Sequence, residues 1–471
     1  MNLTDKMTMK YRGKKCCVLG FGRSNKPLVD MLLAAGAEVT VHDGNATLCD
    51  ERLEALGVKF CVGEGYLETL SGDYIFRSPG IRHDLGAIEA AKEKGACLTS
   101  EMELFFELCP ATLIGITGSD GKTTTTTLTH LFLKKELEKR GDGAAYVGGN
   151  IGQPLLPIAD KMTERDFAVV ELSSFQLQTM KQSPKRALIT NISPNHLNWH
   201  TDYEEYAEAK YNICRNDGIE MLATNAEYKK TREIADEMTI PVTYFSSKRH
   251  SYTQIVPENK NNAIAIYEDE GMIYVDNGKC REAILKVSDI LLPGVHNMEN
   301  YMAAIGLTYG LVSKQTVAEV ARTFGGVEHR LELVREKDGV RYYNSSIDSS
   351  PSRTMAALGA LDKKPIIICG GAEKGIEFDE LADALCQKTK SVVLTGATAQ
   401  IIYDKIMGSS HYDPERLPVC IVSDFREAVL YASGLAEAGD VVLLSPACTS
   451  FDRFRDFEHR GNYFKSIVRE L

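Results

Sequence analysis

A glycine-rich turn between a strand and a helix is the clearest chemical signal in the 471-residue sequence. The apolar run Thr112–Thr117 leads into Gly118-Ser119-Asp120-Gly121-Lys122-Thr123-Thr124, and a helical stretch follows. Backbone N–H groups of such a turn can surround phosphate oxygens, the lysine can reach the outer phosphates, and the Thr123 hydroxyl can bind Mg²⁺. The general pattern has a glycine where this chain has Ile116. The turn still predicts an ATP site.

Two later segments carry residues that suit metal or acid–base chemistry. Glu171 ends the buried run Phe167–Val170, so it is expected at the carboxyl edge of a sheet, where an acid can hold Mg²⁺ or cap the next helix. The segment Asn191–His200 contains His196, His200 and the only tryptophan. Position alone leaves these as ordinary loop histidines and leaves the downstream Lys210 as an exposed helix lysine.

The opening of the chain holds a weaker nucleotide signal. Gly20-Phe21-Gly22-Arg23-Ser24-Asn25 follows a short strand, and Asp43 ends the next one. The spacing resembles the dinucleotide fingerprint, but Asn25 stands at its third glycine. A nicotinamide cofactor, a nucleotide-linked substrate and a purely structural turn all fit this pattern.

The elements that must position these residues alternate between strand and helix in three blocks. Breaks at Cys109-Pro110 and Gly325-Gly326 predict α/β domains at 1–108, 109–325 and 326–471. The first and third are expected to be Rossmann-like and the central one to resemble P-loop ATPases. The alternating runs Ala263–Tyr267 and Met272–Val275 predict a hairpin, interpreted as a small accessory sheet on the central domain.

The overall charge and composition exclude several kinds of partner. The chain has 54 basic and 65 acidic residues, a net charge of −11, which argues against a broad nucleic-acid-binding face. Its twelve cysteines show no framework or CxxC spacing, so free thiols in a reducing compartment are expected. The N-terminus lacks the apolar stretch of a signal peptide, and no run is long enough to cross a membrane. We therefore expect a cytoplasmic protein.

Seven motifs in a fixed order resemble the Mur ligases over essentially the whole chain. They are TGSDGKTT, GGNIG at 148–152, ELSSFQL, NISPNHLNWH with Lys210 downstream, GVHNMENYMAA at 294–304, EHRLE at 328–332 and LSPACTSFDRFRDFEHRG at 444–461. Within the family, ELSSFQL and SPACTSFDRFRDFEHRG favour the members that add D-glutamate.

The resemblance implies ATP-driven amide formation in peptidoglycan precursor synthesis. D-Glutamate would be joined to the L-alanine carboxylate of UDP-N-acetylmuramoyl-L-alanine through an acyl phosphate. The enzyme's task is then largely neutralisation of charge and alignment of several anions. The implied partners are these small molecules, with no nucleic acid and no membrane, and the protein is expected by default to be a monomer.

The resemblance also assigns roles to individual residues. Catalytic roles fall to Lys122, His196 and Lys210, with Lys210 carbamylated by CO₂. The implied ATP-binding residues are Gly118, Ser119, Asp120, Gly121, Lys122, Thr123, Thr124, Asn300 and Arg330, with His329 beside Arg330. Two Mg²⁺ ions would be held by Thr123, Glu171, His196 and the modified Lys210. The implied substrate-binding residues are Arg23, Ser24, Asp43, Ser78 and Gly80 for the nucleotide, Asn150, and Lys374, Ser450 and Phe457 for D-glutamate.

The chain departs from the family pattern at several positions. Asn344 is followed by Ser345 where the family commonly has an aspartate, and Asp348 lies three residues further on. Asn195 and Asn198 replace aspartates around the metal histidine, and Asp120 replaces an asparagine in the phosphate loop. For Phe457, the three-residue spacing with Phe451 and Phe454 also fits plain core packing.

Three other functions fit parts of the sequence. One is another amino-acid-adding ligase of the superfamily, a sister Mur ligase or a folylpolyglutamate synthase-like enzyme. A second is a nucleotide-sensing protein that has lost turnover, motivated by Ser345. A third is a nicotinamide-dependent oxidoreductase, against which the phosphate loop argues.

Overall fold

The computed structural model describes residues 2–196, 199–260, 262–292, 294–372 and 377–471. The chain divides into two compact units, Met1–Thr323 and Phe324–Leu471. The first unit contains two sheets and the second contains one. The prediction of three successive α/β blocks, each a sheet with its covering helices and termed a layer below, is therefore confirmed. The exact domain limits at 108 and 325 stay a prediction, since the contacts group the first two layers together.

The first sheet is parallel and covered by helices. Its strands are β1 (Lys15–Leu19), β2 (Glu38–Asp43), β3 (Lys59–Val62), β4 (Tyr74–Arg77) and β5 (Cys97–Thr99), and the helices are α1 (Leu3–Tyr11), α2 (Asn25–Ala34), α3 (Glu51–Ala55), α4 (Gly86–Glu93) and α5 (Glu101–Leu108). The strand order is β3-β2-β1-β4-β5. The chain adds β2 and β3 on one side of β1 and then β4 and β5 on the other side. The loops after β1 and β4 therefore form the crevice in which ligands of such sheets bind.

The second sheet is larger and carries the phosphate loop. Its strands are β6 (Thr112–Thr117), β7 (Ala145–Gly149), β8 (Phe167–Glu171), β9 (Arg186–Ile189), β10 (Met221–Asn225), β11 (Val242–Ser246), β12 (Ile264–Asp269), β13 (Met272–Asp276) and β14 (Arg281–Lys286). Its helices are α6 (Lys122–Arg140), α7 (Ser174–Leu177), α8 (Tyr203–Arg215), α9 (Lys229–Glu237), α10 (Tyr252–Ile255), α11 (Val295–Thr308) and α12 (Lys314–Ala321), with 3₁₀ turns at Leu156–Lys161 and Val287–Asp289.

The nine strands of this sheet run in the order β14-β13-β12-β11-β10-β9-β6-β8-β7. Strand β6 lies between β8 and β9 and is parallel to both, which places the ends of these three strands side by side. The prediction that the hairpin forms a separate accessory sheet is wrong. Strand β12 pairs in parallel with β11, so the hairpin extends the main sheet, and β14 adds a further antiparallel strand. The alternating pattern identified the hairpin, but alternation in a single strand does not indicate which neighbour it pairs with.

The second unit is a mixed sheet with helices on both faces. Its strands are β15 (Glu332–Lys337), β16 (Val340–Asn344), β17 (Ile366–Cys369), β18 (Ser391–Leu394), β19 (Val419–Ile421) and β20 (Val441–Leu444), and its helices are α13 (Pro351–Gly359), α14 (Asp379–Lys388), α15 (Ala399–Gly408), α16 (Phe425–Gly434) and α17 (Phe457–Glu470). The strand order is β15-β16-β20-β17-β18-β19, with only β15 antiparallel. Strands β17, β18 and β20 are wholly buried, as expected for parallel strands covered on both faces.

Candidate active site

The phosphate loop, residues 118–121, adopts a backbone that requires glycine at both ends. Gly118 has φ +151° and Gly121 has φ +77°. A Cβ on Gly118 would lie 1.8 Å from Thr190 Oγ1, and one on Gly121 would lie 2.4 Å from Asn300 Oδ1. Asn300 also accepts a hydrogen bond from Thr125 Oγ1 at 3.1 Å, so this predicted ATP-binding residue packs directly against the loop.

Hydrogen bonds with Asn191, after the neighbouring strand β9, and with Lys122 fix the conformation of the loop. Asn191 Oδ1 accepts hydrogen bonds from the backbone N–H groups of Ser119 at 3.1 Å and Asp120 at 2.9 Å. Lys122 Nζ donates to the carbonyl oxygens of Gly118 and Ser119 at 2.9 and 2.8 Å. The lysine thus lies folded over the loop, where its charge can meet the outer phosphates of a nucleotide. Helix α6 begins at Lys122, and Thr123 and Thr124 lie in its first turn.

Lys210 is buried beneath the same loop. It lies on α8, is 1% exposed, and its Nζ donates to the Gly118 carbonyl oxygen at 2.8 Å. Burial, together with the charge of Lys122, lowers its pKa well below the usual value, while Asp120 and Glu171 oppose the shift. The bland expectation of an exposed helix lysine is therefore wrong. A neutral amine is the form that reacts with CO₂, so the site suits the chemistry of carbamylation.

Glu171 lies at the end of β8, beside the start of the phosphate loop. Its backbone pairs with Ile116 of β6, and its side chain is 1% exposed. Asn150 Nδ2 donates to Glu171 Oε1 at 2.7 Å, and Oε2 is buried with no hydrogen-bond partner among the described residues. An unsatisfied buried carboxylate oxygen is costly unless a ligand completes it. This oxygen fits a hard cation such as Mg²⁺.

His196 lies close to both lysines. Its backbone has φ +55°, and its ring packs at 5.1 Å on the ring of Phe175, which follows Glu171 in the ELSSFQL segment. Partial burial and the charges of Lys122 and Lys210 lower the pKa of His196. The imidazole is therefore neutral near pH 7, the form that binds metals. His200, the other histidine of the segment, is buried and bonds through Nε2 to Ser174 Oγ at 2.9 Å.

The predicted metal ligands do not by themselves form a complete metal site. Across the described part of the chain, no three His, Cys, Asp or Glu side chains come close enough together to bind a metal ion. The candidate donors are the Glu171 carboxylate, the Thr123 hydroxyl and the His196 imidazole, with Lys210 beside them. Such a set fits Mg²⁺ because that ion usually keeps few protein ligands and completes its shell with phosphate oxygens and water.

The predicted nucleotide residues of the first sheet lie at its crevice. A Cβ on Gly20 would lie 2.7 Å from Ser78 Cβ, so the loops after β1 and β4 are in direct contact. Asn25 Nδ2 donates to the Gly20 carbonyl at 2.8 Å, which explains an asparagine at the third glycine position. Asp43 accepts the Phe21 N–H at 2.7 Å. The other predicted residues of this crevice, the exposed Arg23 and Gly80 and the half-buried Ser24, are partly or fully accessible to solvent.

In the second unit, a buried arginine bonds to the backbone just before Ser450 and, through Ser346, is linked to Phe457. Arg460 is 2% exposed and donates to the carbonyl oxygens of Cys448, Thr449 and Ser346 at 3.1, 3.2 and 2.9 Å. Ser346 Oγ in turn donates to the Phe457 carbonyl at 2.8 Å. Lys374, also predicted to bind D-glutamate, lies outside the described residues.

The phenylalanines around Ser450 do not share a core face. Helix α17 begins only at Phe457, so the three-residue spacing is not a helical stripe. Phe451 is 66% exposed, Phe454 packs on Phe425 at 5.1 Å, and Phe457 contacts the His329 ring at 5.9 Å. The expectation of shared core packing is therefore wrong for this trio.

Asp348, the acid nearest to the position at which the family commonly has an aspartate, is hydrogen-bonded inside the second unit. Asp348 is buried and accepts a hydrogen bond from Ser445 Oγ at 2.8 Å, and burial raises its pKa. Its carboxylate is therefore committed inside the second unit. Arg330 is exposed on the same unit, and its charge acts on Asp348.

Sequence patterns assigned no role to several residues that organise the site. Thr190, Asn191 and Tyr206 contact the phosphate loop, the last through a 2.9 Å hydrogen bond to Ser119 Oγ. Arg77 and Arg460 are buried cations that donate mainly to backbone carbonyls. These roles depend on burial and on contacts between distant residues, neither of which is visible in a single sequence.

Comparison with known proteins agrees with this geometry. Residues 116–308 match the Mur ligase middle domain, and residues 329–448 match the Mur ligase, glutamate ligase domain. The UDP-N-acetylmuramoylalanine–D-glutamate ligase of Acetivibrio thermocellus is 44% identical over 98% of this chain and 97% of its own. The chain belongs to the Mur ligase family.

Further relatives support the same assignment. The UDP-N-acetylmuramoylalanine–D-glutamate ligase of Ruminiclostridium cellulolyticum is 43% identical over 100% of this chain and 99% of its own. The solved UDP-N-acetylmuramate-alanine ligase of Thermotoga maritima superposes with a TM-score of 0.54 at 19% identity, covering 97% of this chain and 99% of that one. A solved UDP-N-acetylmuramoyl-L-alanyl-D-glutamate–2,6-diaminopimelate ligase gives 0.55 at 16% identity, covering 98% and 93%. These two structures establish the fold.

Proposed function

We propose that this chain is an ATP-dependent ligase that joins D-glutamate to the L-alanine carboxylate of UDP-N-acetylmuramoyl-L-alanine. The observation that carries the proposal is the convergence of Lys122, His196 and Lys210 at one phosphate loop, in a chain that aligns end to end with ligases of that name. A carboxylate is a poor electrophile and must be activated before an amine can attack it. A phosphate loop with cations around it suits that activation.

The proposed reaction proceeds in two steps. A carboxylate oxygen of the acceptor attacks the γ-phosphorus of ATP, which forms an acyl phosphate and releases ADP. The neutral amine of D-glutamate then attacks the carbonyl carbon, loses a proton, and the C–O bond to phosphate breaks to leave an amide and inorganic phosphate. Lys122 is placed to neutralise the transferred phosphoryl group, because its Nζ lies over the loop that would hold the phosphates.

The residues around the loop would hold Mg²⁺. We assign Thr123 and Glu171 to the ion that accompanies the nucleotide, supported by the unsatisfied Oε2 of Glu171. Bound Mg²⁺ neutralises and orients phosphate oxygens during transfer. Asn150 fixes the Glu171 side chain by donating a hydrogen bond to its other carboxylate oxygen, Oε1. We assign His196 and carbamylated Lys210 to a second ion, supported by the neutral imidazole and by the buried amine.

Carbamylation can be tested separately from activity. A carbamate replaces the ammonium of Lys210 with an anion, so ¹³C-bicarbonate should give the purified protein one carbamate ¹³C signal. The Lys210→Met variant should lack this signal. A wild-type spectrum with no carbamate resonance would contradict the modification without touching the ligase assignment.

The remaining roles are divided among the three layers. We propose that residues 1–108 bind the UDP moiety through Arg23, Ser24, Asp43, Ser78 and Gly80, that 109–325 bind ATP, and that 326–471 bind D-glutamate through Lys374, Ser450 and Phe457. Asn300 and Arg330 would contact ATP, since Asn300 packs on the phosphate loop and Arg330 is an exposed cation. We further propose a cytoplasmic monomer, in keeping with twelve free cysteines and with the finding that no described helix is long and apolar enough to span a membrane.

The function is tested by a panel of acceptors. The purified chain is incubated with ATP, Mg²⁺ and UDP-N-acetylmuramoyl-L-alanine, and ADP and product mass are measured with D-glutamate, L-glutamate, meso-diaminopimelate or no amino acid. ADP release and a glutamate adduct only with D-glutamate are expected. Turnover with a different amino acid would identify a sister ligase, and nucleotide binding with no turnover would identify a binding protein.

A further inference from the structure

Residues Ser78–Ile81, termed the sugar loop, begin the connection from β4 to α4 and include Ser78 and Gly80 of the proposed UDP-sugar site. This inference rests on the proposed function, because it concerns how that loop is aligned with the phosphate-transfer centre. Two arginines flank the loop, and both Arg77 and Arg82 contact segments that follow strands of the second sheet in the same unit.

Arg77 has a buried guanidinium that bonds both to the sugar loop and to the segment that follows Glu171. It is 1% exposed, and its NH1 donates to the carbonyl oxygens of Pro79 at 3.2 Å and Ile81 at 2.5 Å within the sugar loop. Its NH2 donates to the Phe175 carbonyl at 2.8 Å and to Thr179 Oγ1 at 3.2 Å. Burial lowers the pKa of Arg77 to about 10, so the side chain stays charged near neutral pH. One planar group therefore fixes the loop onto the segment that follows Glu171.

Arg82 makes a second connection to the loop that contains His196. Its NH1 donates to the Trp199 carbonyl at 2.7 Å, and its NH2 pairs with Glu205 on α8 at 3.0 Å. The guanidinium lies 5.1 Å from the Trp199 ring, and Trp199 Nε1 donates back to the Gly80 carbonyl at 3.3 Å. Contacts thus run in both directions between the sugar loop and Trp199.

Both connections end on groups that place His196. Phe175, whose carbonyl accepts from Arg77, packs its ring edge-to-face against the His196 ring, with 5.1 Å between the ring centroids. Trp199, whose carbonyl accepts from Arg82, donates its backbone N–H to the His196 carbonyl at 3.0 Å. Glu205 lies on α8, the helix that also carries Lys210. The two arginines therefore link the proposed sugar site to both residues assigned to the second metal ion.

We propose that Arg77 and Arg82 are positioning residues that align the acceptor carboxylate, held by the first sheet, with the phosphate loop of the second. Neither residue needs to touch the reacting atoms. In-line phosphoryl transfer requires reacting atoms about 3–3.5 Å apart, and misplacement by about 1 Å can lower the rate a hundredfold. Two guanidinium groups that connect the sugar loop to Phe175, Trp199 and Glu205 supply this alignment.

The test uses Arg82, because its side chain is 22% exposed and its loss leaves Glu205 with other hydrogen-bond donors. The variants are Arg82→Met and Arg82→Lys, with Arg52→Met as the control, since Arg52 forms an exposed ion pair with Asp30 in the same layer. Steady-state kcat and the KM values for ATP, UDP-N-acetylmuramoyl-L-alanine and D-glutamate are measured on the full chain. Emission of Trp199, the only tryptophan, is recorded during titration with UDP-N-acetylmuramoyl-L-alanine.

We expect acceptor binding to change the Trp199 emission of the wild type, because the indole bonds to the sugar loop. Arg82→Met should reduce this change and lower kcat at least about tenfold, while KM for ATP stays within about twofold. Arg82→Lys should restore part of kcat, since one ammonium can meet Glu205 but cannot also reach the Trp199 carbonyl and Asp84 as the planar guanidinium does. Arg52→Met should match the wild type.

Two results would overturn the inference alone. One is an active wild type together with an Arg82→Met variant that keeps full kcat. The other is a fall in kcat of Arg82→Met accompanied by equal rises in all its KM values, which would indicate general destabilisation. Absence of turnover in the wild type would instead contradict the proposed function, and the inference with it.

Discussion

Replacing Gly118 with alanine tests whether the phosphate loop depends on the glycine backbone described above. A Cβ at this position would lie 1.8 Å from Thr190 Oγ1 and 3.0 Å from Thr190 Cβ. Thr190 is 5% exposed, and its hydroxyl proton can be donated to the carbonyl oxygen of Asp120 at 2.6 Å, with the carbonyl oxygen of Thr117 3.3 Å away. The threonine must therefore rotate and give up its hydrogen bond.

The size of the effect follows from these contacts. One lost hydrogen bond costs about 1 kcal/mol, and a non-glycine residue at φ +151° adds about 1–3 kcal/mol of backbone strain. Gly118→Ala should thus lower the free energy of unfolding of the first unit by about 2–4 kcal/mol. Gly141→Ala is the matched control: φ is +67° with no atom within 4 Å of its Cβ, so only the left-handed cost of about 1 kcal/mol applies.

The assay is urea unfolding followed by Trp199 emission, because the only tryptophan lies in the first unit. KM for ATP is measured in parallel and should rise for Gly118→Ala but not for Gly141→Ala. Adding Thr190→Ala removes the clashing hydroxyl, so the double variant should be more stable than the sum of the two single changes predicts. Equal stability of Gly118→Ala and Gly141→Ala, with unchanged KM for ATP, would refute the reasoning.

Three further predictions address the metal donor, the acid sensitivity of the fold and the glutamate pocket. Glu171→Gln should lower kcat about 100-fold at fixed Mg²⁺ because a neutral amide is a poor Mg²⁺ ligand, whereas the exposed Glu164→Gln should leave ADP release unchanged. Burial, aided by Lys134, lowers the pKa of His130 from 6.5 to about 4, so the unfolded state alone gains a proton between these values. Stability should then fall by up to about 3 kcal/mol from pH 6.5 to 4. His130→Leu should remove this slope in urea titrations, and a slope retained by the variant would contradict the assignment. Arg460→Met should raise KM for D-glutamate about tenfold through the loops it joins, and an equal rise in KM for ATP would argue against that role.

The sequence predicted the layers and the phosphate loop well because their signals are local. Apolar runs bounded by glycine and proline gave strands such as Thr112–Thr117 with the observed limits. The phosphate loop is recognisable because its glycines and lysine are consecutive in the chain. Sheet membership was less predictable: the hairpin at β12 and β13 was found, but its parallel pairing with β11 depends on residues distant in sequence.

Residues that act through burial could not be predicted in the same way. Lys210 has the pattern of a surface helix lysine, and only packing under Gly118 gives it a lowered pKa. Arg77 and Arg82 read as charges near a loop, yet they connect segments about 100 residues apart in the chain. A single sequence does not record which distant carbonyl a guanidinium meets.

The central claim is that the acceptor carboxylate is phosphorylated at this loop. It is tested most directly with UDP-N-acetylmuramoyl-L-alanine whose alanine carboxylate carries ¹⁸O, by measuring the mass of the inorganic phosphate released with ATP and D-glutamate. An acyl phosphate transfers one carboxylate oxygen to phosphate, so each phosphate should contain one ¹⁸O. Amide product accompanied by phosphate without ¹⁸O would contradict the account.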